Sequence, residues 1–464
     1  MSANAPNVQI NAATAARVLY VNQADGPFTT LAAAKAAAQS GDTIVVGPGT
    51  YIENDLLKDG VNWLFAPGAL VTYSPPALQA NSSDIIFGIF DDRSSGPVQC
   101  TIGGHGSFSA FSRGYLNLLG TVVITNANSK ISLTCKEIAF ATYHDAAAGT
   151  GSRAAVYVKN TLRVDVNCDR IYGARGTNYD TGLTDDLGDP ILWNDFGSGI
   201  YWELGDLYVR CGSIDKISSY GVWGNQPRGN STAANLWLNA DFVENHMYMD
   251  GGTDAAGHVG TYNWRSWIVA KEILEGIAYF DSGRHYLTVQ KINLQNASMS
   301  FNGATQVWLT AQKMTNTLAG GWMLLQAGNG GSPVVFADIT QFEDTQGAFN
   351  FAGISISDAT EIHLRGSYLK TGAGPAILHN GGKARIQGMT IDTSASNKPN
   401  NHAIKVVGAG LVLDRCVLLA PPLANSINAS APQTVTCYGV KANRAGHANV
   451  VINVDPITVD PNVI

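Results

Sequence analysis

One short frame, rewritten along most of the chain, limits what this sequence can fold into. In Leu133-Thr134-Cys135-Lys136-Glu137-Ile138 an apolar anchor is followed five positions later by a second apolar residue. The frame returns as Val166…Ile171, Val209…Ile214, Leu238…Val243, Val269…Leu274, Val289…Leu294, Leu309…Met314, Leu364…Leu369, Ile386…Ile391 and Leu413…Leu418. One further copy, at Phe336, has Gln341 at the fifth position and carries its apolar residues at Ile339 and Phe342. Anchor spacings of 33, 43, 29, 31, 20, 20, 27, 28, 22 and 27 leave room for one core strand per copy and insertions of variable length. Repeats of that size belong to solenoids, in which each copy packs only on its neighbours.

The pattern inside the frame selects the kind of solenoid. Apolar residues alternate ahead of the anchor, as in Leu162/Val164/Val166, Leu207/Val209, Trp267/Val269 and Val307/Leu309. A period of two is the signature of strand. Two positions after the anchor the residue is often small or a thiol: Cys135, Cys168, Cys211, Ala240, Ala311, Gly366, Gly388. Like residues in one register predict an internal stack at the strand spacing, so the eleven anchors would span a rod of about 48 Å. The expected fold is all-β: a single-stranded right-handed parallel β-helix.

Composition agrees and excludes some partners. Charged residues are 14% and glycine numbers 50 of 464, which suits short strands joined by many tight turns. A net charge of −7 argues against nucleic acid and anionic membrane as partners, and no apolar run reaches membrane-spanning length. The opening Met1-Ser2-Ala3-Asn4-Ala5-Pro6 lacks a basic and apolar leader, so no signal peptide is expected. Six cysteines without a CxxC pair, three of them in one register, predict reduced buried thiols and no metal site of their own.

Residues 1–18 read as a polar arm. Val18–Asn22 is a strand, Thr29 or Thr30 caps a short Ala-rich helix from Leu31, and Gly41-Asp42-Thr43-Ile44-Val45-Val46 begins the next strand. The stretch FTTLAAAKAAAQSGDTIVVGPGTY, followed by DGVNWLFAPGALV, resembles the opening of pectin-lyase-like right-handed parallel β-helices. The resemblance implies a helical cap and first coils over 19–72, with the parallel β-helix over 73–420. Residues 421–464 are expected to form a cap or strap, and their YGVKANRAGHANVVINVDPITVDPNVI resembles segments that close phage structural β-helix proteins.

Two acidic, aromatic stretches are the expected site. The first gathers Asp180, Asp185, Asp186, Asp189, Trp193, Asp195, Tyr201, Trp202 and Glu203; the second gathers Glu244, His246, Tyr248, Asp250, Asp254, His258, Tyr262 and Trp264. Asp185, Asp186 and Glu244 are the candidate catalytic carboxylates, since a carboxyl pair can cleave a glycosidic bond as acid and base or nucleophile. Trp193, Trp202, Asp189, His246, Asp250, Tyr262 and Trp264 are the candidate ligand-binding set, and the same carboxylates could hold Ca²⁺. No other cofactor is expected. Polygalacturonase-like members carry Asn-Thr-Asp, Asp-Asp, Gly-His-Gly and Arg-Ile-Lys in order. This chain has Asp91-Asp92 and Gly104-His105-Gly106 without the flanking pair, and it lacks the pectate-lyase Trp-Ile-Asp-His. The missing leader, the inert-looking coils and the absent lyase and hydrolase signatures, together with the resemblance of the closing segment, lead to the expectation of a virion-associated structural protein, such as a phage tail spike, fibre or decoration subunit. Its expected setting is the virion or, after assembly, the extracellular space. Its expected partners are other virion proteins, further copies of itself (a homotrimer favoured) and bacterial surface glycan. The alternative is a polysaccharide depolymerase using the loop carboxylates.

Overall fold

The computed structural model describes residues 16–74, 85–112, 118–142, 153–173, 179–184, 190–193, 198–217, 220–225, 233–250, 264–274, 279–294, 299–316, 323–325, 332–344, 353–357, 360–372, 374–395, 401–444 and 446–462. It is a parallel β-helix solenoid. Apart from one hairpin, the paired strands join a single array of parallel ladders. Each full coil contributes to three sheets. A front sheet contains the anchors, for example in Lys130–Cys135, which pairs with Arg163–Cys168. A side sheet continues beyond the anchor through Ile138↔Ile171 and Ile171↔Ile214. A back sheet runs through Val156↔Ile200, Ile200↔Val222 and Val222↔Met247.

The alternation dictates the core. Leu133, Val166, Val209 and Leu238 stack in register and are buried, as are Ile138, Ile171, Ile214 and Val243 beneath the side sheet. Cys135, Cys168 and Cys211 form one interior column, all six cysteines are free and buried, and Ala240 and Ala270 continue the column. Three copies of the frame have a different register from the sequence assignment. The anchors are Ile268, Leu287 and Ala337 in place of Val269, Val289 and Phe336. Val269 and Phe336 accordingly face outward, 49% and 38% exposed, because a shift of one residue swaps the two sides of a strand.

Both ends follow from local chemistry. The helix Leu31–Ala37 buries Leu31 and Ala34 against the first coil. Thr30 caps it by accepting from the Ala33 N–H, and the Glu53 carboxylate accepts from Leu31 and Ala32. At the other end, residues 421–444 and 446–462 continue the coils as further strands. Ile427–Tyr438 pairs with Ile404–Val406 and Leu411–Asp414, and His447–Val454 pairs with it in turn. Val454 and Val459 occupy inward columns, above Cys437 and Ala442, yet are 56% and 42% exposed. Among the described residues no helix is long and apolar enough to cross a membrane.

Candidate functional site

Much of the two long insertions that carry the expected patch lies outside the described residues. Asp185, Asp186, Asp189 and Tyr262 lie outside those residues. Trp193 ends the strand Pro190–Trp193, which pairs antiparallel with Tyr179–Thr184 in a hairpin separate from the main sheets. His246 and Asp250 begin and end a back-sheet strand, in register with Tyr220 and Asn225. Glu244 is half-buried, and its carboxylate accepts a hydrogen bond from the Lys216 N–H, at a corner where Lys216 has φ 53°. That bond gives Glu244 a turn-capping role.

Trp202 and Trp264 are brought together inside the coil. Both are fully buried, with ring centroids 4.7 Å apart and planes within 9°. Gly224 follows Trp202 in the back-sheet column, and a Cβ there would lie 2.5 Å from the Trp264 ring. Glycine thus leaves the space that Trp264 fills. With their faces covered, these two tryptophans cannot serve as sugar platforms and leave the ligand-binding set; they are core.

The Asp91-Asp92 and Gly104-His105-Gly106 echoes are structural too. Asp91 receives a bidentate hydrogen bond from Arg93, and Asp92 accepts from the Thr125 and Asn126 N–H groups and the Ser129 hydroxyl. Gly104 (φ 104°) turns the chain between Gln99–Gly104 and Ser107–Ser112, where an added Cβ would meet the Phe65 carbonyl at 2.0 Å. A buried carboxyl does occur at Glu203. Burial raises its pKa, while the Tyr201 hydroxyl donates to it and accepts from the Asn225 amide at 2.9 Å. Tyr201 is itself 1% exposed and stacked on Tyr157, so this group is enclosed.

The surface that stands out is the front sheet. One position before each anchor the side chain points outward, and over seven coils that position is aromatic: Tyr208, Trp237, Trp267, Tyr286, Trp308, Phe336, His363. Neighbouring rings stack nearly parallel, with centroids between 4.1 Å (Tyr208–Trp237) and 5.8 Å (Trp308–Phe336). The ladder extends about 29 Å along the rod at the strand spacing. Arg163 closes its first face, with its guanidinium 4.2 Å from the Tyr208 centroid. Because the faces cover one another, the ring edges form the outward ridge.

Polar rows flank that ridge. One runs through Thr134, Asn167, Arg210, Asn239 and Thr288, with Val269 among them; the other runs through Arg163, Asp206, Asn235, Arg265 and Arg284. Between the ladder and the first row lies an open groove of about 400 Å³, lined by Asp165, Asn167, Tyr208, Arg210, Trp237, Asn239 and Trp267 among others. Asp165 is held by Arg163 at 2.8 Å, and Asp206 accepts from the Asn235 amide at 2.8 Å.

The sequence carried a signal for this ladder, an aromatic or imidazole ring immediately ahead of the anchor in consecutive copies. It was obscured where Trp267 was paired with Val269 as an inward residue. Comparison of the chain with protein-family models, curated proteins and solved structures finds no match.

Proposed function

We propose that this chain is a virion-associated structural β-helix protein, of the tail spike, fibre or decoration type, that holds bacterial surface polysaccharide along its front sheet. The observation that carries the binding part is the aromatic ridge running beside an open groove between polar rows. An apolar strip of this length on a solvent face is the usual mark of an interaction surface. The combination of ring edges with amide, hydroxyl and guanidinium groups matches the mixed apolar and hydroxylated surface of a sugar chain. The virion setting is supported by the resemblance of the closing segment to those that end phage structural β-helix proteins. Association of further copies along the rod, three-fold favoured, belongs to the same proposal.

The test is binding of the purified chain to a panel of bacterial capsule and cell-wall polysaccharides, alongside sedimentation equilibrium. Binding that falls at least tenfold in Trp237→Ala and Trp308→Ala, with folding intact, is the expected result. Unchanged binding in both variants would remove the ridge from the site. If those substitutions instead dissociate an oligomer, the ridge is a subunit interface. A reducing-sugar assay on the same panel addresses the depolymerase alternative: turnover lost in Asp185→Asn, Asp186→Asn or Glu244→Gln would replace the adhesive proposal with an enzymatic one.

A further inference from the structure

Among the buried titratable groups, His402 holds more of the chain than its own coil. It is 6% exposed and stands just ahead of the back-sheet strand Ile404–Val406. Its Nδ1 accepts from the Asn425 N–H at 3.1 Å, so in the neutral ring the proton sits on Nε2. Nε2 faces the Asn428 side-chain amide at 2.9 Å, and a ring N–H there makes the amide oxygen its acceptor. One imidazole thus ties two points of the following coil.

Asn425 belongs to the corner 421–426, from which the last coil hangs. Ala420 and Asn443 exchange two hydrogen bonds at 3.0 Å. The Arg444 guanidinium donates to the Pro422 carbonyl at 3.2 Å, and the Ser426 hydroxyl donates to the Arg444 carbonyl at 3.3 Å. Gly446 lies so close that an added Cβ would stand 2.6 Å from the Asn425 Oδ1. The same corner walls an open hollow of about 410 Å³ together with Asn443, Arg444, Val459 and Pro461. Movement of Asn425 therefore reaches His447–Val454 and Thr458–Val459 through direct contacts.

The surroundings of the ring leave a second proton unsupported. Burial lowers its pKa, the Asn425 backbone opposes that, and the charge of Lys405 in the adjoining strand lowers it further. On the following coils Asn425 and Asn428 are uncharged, Arg444 is directed to Pro422, and His447 is exposed. The preceding coil brings His379, fully buried and within hydrogen-bond reach of the Gly408 carbonyl at 3.2 Å. Asp392, the nearest carboxylate along the chain, accepts from the Tyr368 and Ser394 hydroxyls. Among the described residues no carboxylate bonds the His402 ring.

We propose that His402 is an acid-operated latch: on taking a second proton it lets go of the Asn425 N–H and frees the last coil from the rod. A proton on Nδ1 sets two donors, the ring N–H and the Asn425 N–H, against each other. The ring can regain a bond only at the Asn425 carbonyl, 3.2 Å away, and reaching it turns the peptide against which Gly446 is seated. A ring kept neutral by the fold contributes its stability in full above its unfolded value of about 6.5, and that stability is lost as the pH falls through it. The window is mildly acidic, above the range in which ordinary carboxylates take up protons. The latch is independent of what the front sheet holds.

The experiment is amide exchange of the full chain, read by mass spectrometry at about pH 7.5 and about pH 5 and corrected for the intrinsic pH dependence of exchange. Protection in Ile427–Tyr438 and His447–Val454 is expected to fall roughly threefold or more in acid, while Lys130–Thr142 stays level. His402→Gln, whose amide accepts from Asn425 and donates to Asn428 but takes up no proton, should abolish the fall. Lys405→Glu sets a carboxylate beside the ring and should shrink it; Lys405 is partly exposed, so this variant is expected to fold. No acid response in wild type, or an equal one in His402→Gln, would overturn the latch. If His402→Gln exchanges fast at both pH values, Lys405→Glu decides: a smaller acid response sustains the latch and an unchanged one overturns it.

Discussion

Replacing Trp237 by alanine removes one ring from the body of the ladder, and the structure sets what that should cost. Its ring stacks on Tyr208 at 4.1 Å and 3° and on Trp267 at 4.9 Å and 6°. Each such pair contributes about 0.5–1.5 kcal/mol beyond area burial, so the substitution should destabilise the rod by about 1–3 kcal/mol. That is less than the whole stability of a typical domain, about 5–15 kcal/mol, and the variant should remain folded. The assay is urea unfolding followed by tryptophan fluorescence and far-ultraviolet circular dichroism, run as double-mutant cycles. Tyr208→Ala combined with Trp237→Ala should show a coupling of about 0.5–1.5 kcal/mol, whereas Phe336→Ala, several coils away, should add to Trp237→Ala within about 0.5 kcal/mol. Polysaccharide affinity should fall at least tenfold in Trp237→Ala, about 1.4 kcal/mol. Additive behaviour of the Tyr208 and Trp237 substitutions would refute the stack as an energetic unit. Unchanged affinity would refute it as a binding surface.

Trp202→Ala provides the contrast, since it empties part of the interior stack; it should cost about 3–5 kcal/mol in the same urea assay. Gly205 has φ 87° and an added Cβ would lie 2.0 Å from the Thr161 carbonyl oxygen, so Gly205→Ala should destabilise by about 1–3 kcal/mol, read from its urea midpoint. The Arg17 side chain, then the Gln39 N–H, hold the Asp42 carboxyl well below the usual carboxylate range. A depressed carboxyl stabilises above its unfolded pKa of about 3.9, and that contribution is lost as the pH falls through its lower folded value. Amide exchange in Leu31–Ala37 should therefore rise only in acid, and Asp42→Asn should raise it already at neutral pH. Burial pushes the Cys100 and Cys437 thiols up to about 12. Iodoacetamide at mildly alkaline pH should spare them in the folded chain and label them in urea; rapid labelling of the folded protein would contradict their placement in the core.

The rod was legible in the sequence because its core depends on a short-range rule. Alternation around Leu133, Val166 and Val209 fixes which side chains turn inward, and the thiols at Cys135, Cys168 and Cys211 reveal the register between coils. The rule weakened where coils shorten: between Ile268 and Leu309 the sequence contains enough apolar residues, such as Val269 and Val289, to fit more than one phase. A phase error of one exchanges inside for outside, which hid Trp267 and Phe336 on the solvent face. The fate of Trp202 and Trp264 was not legible at all. Their burial depends on Gly224, far from Trp264 in sequence, leaving space in a neighbouring coil, and no local pattern encodes that. Acidic loops drew attention because carboxylates carry chemistry. The ridge lay in the strands, where aromatic residues read first as packing.

The unequal ends of the rod have a kinetic consequence. Each coil is held by the coils before and after it, so opening one in mid-rod breaks two sets of contacts while opening a terminal coil breaks one. The Leu31–Ala37 helix covers the first coil, but Val454 and Val459 leave the last one open to water. Denaturation should then travel as a front, starting at Thr458–Val459, passing through His447–Val454 and consuming the chain toward its amino end. Residue-resolved amide exchange would record it as a staircase of protection, lowest at Thr458–Val459 and rising coil by coil toward the aromatic ladder.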